Sequence, residues 1–180
     1  LNYLFKKYKL EIFDAKEIRS HGGSIRVYCA RKGKYKIRSS VNKILNREKK
    51  YFNHKEFARF NKNVLKSKLN LLKILATIKN KGANVAGVSA PSRAATLINY
   101  VGIDHNILNC IYEIKGSYKI NSFMPGTLIP VVEEKISMLK KNDYLLLLSW
   151  HISKELINNL KRKGYKGKFI IPLPYPKIIN

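Results

Sequence analysis

Asn84-Val85-Ala86-Gly87-Val88-Ser89-Ala90-Pro91-Ser92-Arg93 passes from an apolar run through small residues into a helix start within a single short stretch. Residues 84–88 have the length and apolar character of a buried strand, and residues 92–100 read as a helix. Small residues between them permit a tight turn, and Pro91 suits the first turn of a helix, where its missing N–H costs nothing. A strand that leads so directly into a helix belongs to an α/β arrangement.

The same alternation continues downstream. Residues 107–112 read as a second strand, residues 128–131 as a short third one, and residues 133–139 as a helix. Residues 144–148 form an unbroken apolar run, the mark of a strand covered on both faces. A helix follows over 153–163 and a strand over 168–171, before Pro172, Pro174 and Pro176 stop regular structure. The pattern predicts an α/β domain over residues 81–180, a mostly parallel sheet with helices on both faces.

Upstream, Phe57, Phe60, Val64, Leu71, Leu75 and Ile78 recur at helical spacing over residues 53–80, the stripe with which an amphipathic helix reaches a core. Lys81-Gly82 ends it, glycine being available for a left-handed cap. Residues 41–80 thus read as a helical connection. Before it, residues 32–40 form a basic, Gly-containing turn or loop. Ile25, Val27 and Cys29 alternate with Arg26, Tyr28 and Ala30 as a strand does, and residues 11–13 read as a preceding strand. The two can pair as a β-hairpin within residues 1–40.

Composition bounds the partners. Two cysteines, Cys29 and Cys110, give no disulfide framework. The chain shows neither a signal peptide nor a membrane-length apolar segment, so no membrane partner and a cytoplasmic location are expected. The formal charge is +25, but 28 of the 36 basic residues are lysines scattered along the chain. Such scatter reads first as a solvated face. Attraction of phosphate-bearing ligands comes second, and nucleic-acid binding, with no motif behind it, third.

Chemistry is expected at strand ends, because ligands of open α/β sheets bind beyond the carboxyl edge. The turn at Ala90, Pro91 and Ser92 would offer free amides at a helix start to a phosphate, with Arg93 adding a charge-assisted contact; the alternative is a structural strand–helix turn. Trp150 and His151, after the 144–148 strand, either stack on a ligand and donate to it or pack as core and helix start. Residues 123–127, with Pro125, Gly126 and Thr127, form a turn that lines a cleft or simply leads into a strand. His21-Gly22-Gly23-Ser24 places an imidazole beside two glycines, as a general base or merely as a turn. His54 and His105 have no Cys or carboxylate at metal-ligand spacing, so no metal site is expected.

Taken in order, these pieces resemble one family. His21 to Arg26, His-Gly-Gly-Ser-Ile-Arg, is similar to the motif near the end of the catalytic domain of sugar C-methyltransferases. Residues 87–102 resemble that family's Gly-x-Gly-Ala-Pro-Ala-Lys-Gly-Asn-Thr-Leu-Leu-Asn-Tyr-x-Gly motif. Residues 119–130, with Pro125-Gly126-Thr127-Leu128-Ile129-Pro130, resemble its Lys-x-Gly-x-x-x-Pro-Gly-Thr-x-Ile-Pro stretch. Residues 144–151 and 167–172 look like its last two strands. The resemblance covers nearly the whole chain.

The resemblance implies a longer enzyme with a zinc-binding N-terminal region, a central S-adenosylmethionine domain and a Rossmann-like C-terminal domain. Residues 1–40 would then be the terminal hairpin of the upstream methyltransferase domain. The substrate implied is a nucleotide-linked keto-sugar. His21 would remove the proton beside the ketone, while Arg26, Ala90, Pro91, Ser92, Arg93, Lys119, Pro125, Gly126, Thr127, Trp150 and His151 would frame the nucleotide sugar. Ser89, Arg93, Ala94, Ala95 and Asn121 depart from the motifs, which puts the ligand in question more than the fold. No glycine-rich cofactor turn or zinc-binding cysteine cluster lies in the chain. The chain alone is therefore expected neither to bind S-adenosylmethionine well nor to methylate. A non-catalytic module for nucleotide sugars or phosphate ligands is the alternative reading.

Overall fold

A computed structural model describes the backbone of all 180 residues and every side chain except that of His21. The chain forms two compact units, Leu1–Asn61 and Lys62–Asn180. The first contains helix α1 (Asn2–Lys7), strands β1 (Leu10–Ile18) and β2 (Ser24–Arg31), helix α2 (Ser39–Tyr51) and the start of helix α3 (His54–Asn80). The hairpin is antiparallel, with Ala15 opposite Val27 and an irregularity between Ile12 and Asp14. Its strands meet across a 3₁₀ turn, Ser20–Gly22. β1 extends well beyond residues 11–13 because Asp14, Lys16 and Glu17, poor strand formers by composition, sit in the ladder opposite β2. α2 begins at Ser39, inside the stretch expected to be loop.

Asp14 ties this unit together. Its side chain is buried, yet one carboxylate oxygen accepts from the Ser40 hydroxyl at 2.6 Å and the Ala15 amide at 2.9 Å, and the other from Arg38 at 3.0 Å. These partners, the Ser40 hydroxyl foremost, hold the carboxyl below its usual value against the opposing effect of burial. Because the folded form releases its proton more readily than the unfolded form, the stabilisation is complete above about pH 4 and is lost as the pH falls through the lowered value. Amide exchange along β1 is therefore expected to accelerate on acidification below about pH 4. In Ser40→Ala that acid dependence should shrink; an unchanged dependence would rule out this linkage.

The second unit holds β3 (Val85–Val88), α4 (Ser92–Val101), β4 (Ile111–Glu113), β5 (Val131–Glu133), α5 (Ile136–Leu139), β6 (Tyr144–Leu147), α6 (Ser153–Arg162), β7 (Lys168–Ile171) and β8 (Lys177–Ile179). They build one six-stranded sheet in the order β5-β4-β3-β6-β7-β8. Neighbours are parallel except β7 and β8, which pair antiparallel with Ile170 opposite Ile178. Side chains alternate across it. Val85, Ile111, Leu146, Leu148 and Ile170 face a cluster with Leu71, Leu75 and Ile78 of α3 and Ala94, Leu97 and Ile98 of α4. Ala86, Val88, Tyr112, Leu145, Leu147 and Phe169 face a second cluster with Leu139 of α5 and Leu160 of α6. The fold is thus α/β, a mostly parallel Rossmann-like sheet with helices on both faces, preceded by a β-hairpin and a long helix. Gly87 fits between β4 and β6 because a Cβ there would lie 2.9 Å from Ile111 Cγ1 and 3.0 Å from Leu148 Cδ1.

Further details of this unit and of α3 differ from the sequence-based expectation, and α5 begins at Ile136 rather than 133 because Glu133 closes β5. β4 begins at Ile111 rather than 107, since residues 104–108 are drawn into a turn in which Asp104 accepts from the Asn106, Ile107 and Leu108 amides. β5 begins at Val131 rather than 128, because Leu128 is exposed and the Met124 amide donates to the Ile129 carbonyl, closing a turn before the strand. Regular structure does not end at the prolines; backbone donors return after Pro176 and β8 pairs with β7 at the sheet edge. Along α3 only Leu71, Leu75 and Ile78 are buried, while Phe57 and Phe60 are 50% and 63% exposed. Among the described residues, no helix is long and apolar enough to cross a membrane.

Candidate functional site

From β3 the connections leave toward β4 on one side, and from β6 toward β7 on the other. The carboxyl ends of β3 and β6 therefore flank the point where the winding reverses, which is where open α/β sheets form a crevice. The chain leaves β3 through Ser89, which adopts a left-handed φ of 68°, its amide bonded to the Tyr112 carbonyl at 2.8 Å. Ala90 is then clamped at both ends. Its N–H donates to Glu113 Oε2 at 2.7 Å, and its carbonyl accepts from Lys119 Nζ at 2.8 Å. The other Glu113 oxygen accepts from the Ile114 amide at 3.1 Å.

This arrangement corrects one expectation. The Ala90 amide is not free for a phosphate, because a carboxylate already holds it, and Pro91 has no N–H to offer. Glu113, the last residue of β4, was missed in the sequence; an acidic residue closing an otherwise apolar strand is the signal that could have found it.

The loop over residues 114–130 brings a second wall. Asn99 on α4 donates through Nδ2 to the carbonyls of Ala95 and Pro125, both at 2.8 Å, and so ties the loop to the helix. Gly126, with φ of 79°, lies so close that a Cβ would sit 2.2 Å from Asn99 Oδ1. The Thr127 hydroxyl donates to the Met124 carbonyl and accepts from the Ile129 amide, closing its own turn. The result is a cleft of about 300 Å³ whose walls include Ala90, Pro91, Ser92, Lys119, Phe123 and Pro125. Gly126 and Thr127 shape the loop and are not among its lining residues. Asn99 falls on the Asn-Tyr pair of the motif over residues 87–102 but was not singled out, since an exposed helical Asn is common.

At the start of α4, Arg93 reaches the segment that follows β6. Its guanidinium lies 3.1 Å from His151 Nε2 and 5.6 Å from the Trp150 ring centroid. Guanidinium has donors only, so this contact makes Nε2 the acceptor and assigns the neutral ring's proton to Nδ1. Trp150 and His151 are half-buried on a 3₁₀ turn, Trp150–Ile152. Trp150 packs against the hydrophobic clusters of both faces of the sheet, so the core reading of this residue and its place beside Arg93 hold together.

Two sets of candidate residues are thus assembled, the cleft set with Ala90, Pro91, Ser92, Lys119 and Pro125, and the Arg93–Trp150–His151 set. Both adjoin the first turn of α4. Arg26 is exposed on β2 in the first unit. The side chain of His21 lies outside the described residues. No group of three His, Cys, Asp or Glu side chains among the described residues is placed to hold a metal ion.

Comparison with known proteins adds two findings. A family model described as C-methyltransferase C-terminal domain matches residues 19–174. The chain is also 27% identical over 184 residues to the C-methyltransferase NovU of Streptomyces niveus, a match covering 98% of this chain and 43% of that protein. The chain therefore spans less than half the length of this relative.

Proposed function

The chain belongs to the C-methyltransferase C-terminal domain family, and from that premise we propose that it is the substrate-binding portion of a C-methyltransferase acting on a nucleotide-linked keto-sugar. The observation that carries this reading is the meeting of Arg93, Trp150 and His151 beside the Ala90–Lys119 cleft, at the reversal point of the sheet. A guanidinium supplies charge-assisted bonds to a diphosphate. Residues 81–180 hold the nucleotide sugar and residues 41–80 connect it to what precedes. Residues 1–40 close the upstream methyltransferase domain. A two-stranded hairpin is marginal by itself, which supports assigning it to a larger sheet. His21 at its turn is the base that removes the proton beside the ketone.

The methyl donor of this reading is S-adenosylmethionine, and the residues of this chain do not fit it. Gly87 is packed within the sheet rather than placed in an open turn, and the Ala90 amide is held by Glu113. The donor site belongs to the remainder of the longer protein.

The test is ligand-detected binding of a panel of nucleoside diphosphates and nucleotide sugars to the chain. Nucleotide sugars are expected to bind, and Arg93→Ala should weaken them about tenfold or more, as loss of hydrogen bonds from a charged donor does. Absence of binding across the panel would refute the reading.

A further inference from the structure

The cleft and the Arg93 set differ in chemistry, and the difference divides the ligand between them. Among the described residues lining the cleft, Lys119 is the one that is charged. Its ammonium donates to the Ala90 carbonyl, while the Glu113 carboxylate holds the amide of the same residue from behind. The two charges offset each other across one residue, so the cleft carries no surplus positive charge to draw a diphosphate. The Ala90 amide is already bonded to the Glu113 carboxylate and is not available to a phosphate.

Apart from Ser92 and Ser122, the other lining residues are apolar. Pro91 and Pro125 present rigid rings, Met124 and Val131 are buried, and Phe123 lines the cleft with 59% of its surface exposed. An exposed aromatic ring lining an apolar cleft is a stacking platform, and every nucleobase has a π-face to lay on it. The Ser92 hydroxyl supplies a polar contact for a base edge, and the Ser122 hydroxyl, which already donates to the Lys119 carbonyl, can accept from one. The volume of about 300 Å³ accommodates a base.

Resting on the reading that the ligand is a nucleotide sugar, we infer that this cleft receives the uncharged base of the nucleotide and that the diphosphate lies outside it, toward Arg93. The start of α4 then separates the two halves of the ligand: Ala90, Pro91 and Ser92 face the base, and Arg93 takes the phosphates beside Trp150 and His151. Phe123 becomes a residue that fixes affinity for the nucleoside without touching the charge.

The experiment compares thymidine, uridine, their diphosphates and inorganic pyrophosphate as ligands of the chain and of Phe123→Ala and Arg93→Ala. Phe123 is exposed, so its truncation leaves the fold intact. The expected result is that Phe123→Ala weakens at least one nucleoside and its diphosphate by the same factor, about tenfold, and leaves pyrophosphate unchanged. Arg93→Ala should weaken the diphosphates and pyrophosphate and leave the nucleosides unchanged. Diphosphates that bind the unaltered chain and are insensitive to Phe123→Ala would overturn the base assignment alone, with nucleotide-sugar binding intact. Failure of every diphosphate to bind the unaltered chain would overturn both.

Discussion

Phe169→Ala is expected to destabilise the second unit by about 3–5 kcal/mol, as truncation of a fully buried phenylalanine does. Phe169 has no exposed surface and lies on β7 between β6 and β8. Its ring meets Tyr165 edge-on at 5.2 Å and belongs to the cluster with Leu145, Leu147 and Leu160. Truncation removes the transfer free energy of the ring and leaves a cavity that a strand, held by ladder bonds on both sides, is poorly able to close. Trp150 is the single tryptophan of the chain and lies in this unit, so its fluorescence in denaturant reports the transition. Phe60→Ala, at an exposed position, serves as the contrast and should shift stability by about 0.5 kcal/mol or less. A Phe169→Ala midpoint close to that of Phe60→Ala would contradict the two-layer core described for this sheet.

The same packing explains what was legible in the sequence. Residues 144–147 and 168–171 read as strands because both their faces are buried, so every position had to be apolar or nearly so, and no helix pattern competes with such a run. The start of α4 was legible for a different reason, the local chemistry of Pro91 at a helix entry. Strand starts in the loops failed where apolar residues serve turns. Leu108 is fully buried yet sits in the turn organised by Asp104, so hydrophobicity alone extended the predicted β4 backward. β8 was hidden because three prolines precede it, although proline forbids only the donors it replaces. In α3 the periodicity was correct and its burial was not, since a helical stripe states which residues share a face but not what covers it. The cleft residues, and Asn99 with them, lay within the motifs, but the partners of Asn99 and Glu113, the Pro125 carbonyl and the Ala90 amide, are distant in sequence and no local pattern encodes them.

On the proposed assignment of His21 as the base, His21→Gln in the full-length protein is expected to lower turnover about 100-fold or more, the lower range for loss of a general base. Carbon methylation beside a ketone requires a proton to leave that carbon before the enolate attacks the methyl donor. An imidazole, whose free form titrates near ~6.5, accepts such a proton at neutral pH; a glutamine amide keeps the hydrogen-bonding capacity and lacks the basicity. The backbone beside it is specialised, since Gly22 and Gly23 adopt φ of 85° and 127°, and a Cβ on Gly23 would meet nothing within 4 Å. The glycine there is required by conformation, not by space. Two further readouts separate a base from a structural residue. The rate of the unaltered enzyme should rise with pH as its base loses its proton, and the variant should lack that limb. With no methyl donor present, the unaltered enzyme should exchange the substrate proton beside the ketone with deuterated solvent, and the variant should not. Exchange at the normal rate in His21→Gln, with nucleotide-sugar binding intact in both proteins, would move the base to another residue and leave the cleft assignment standing.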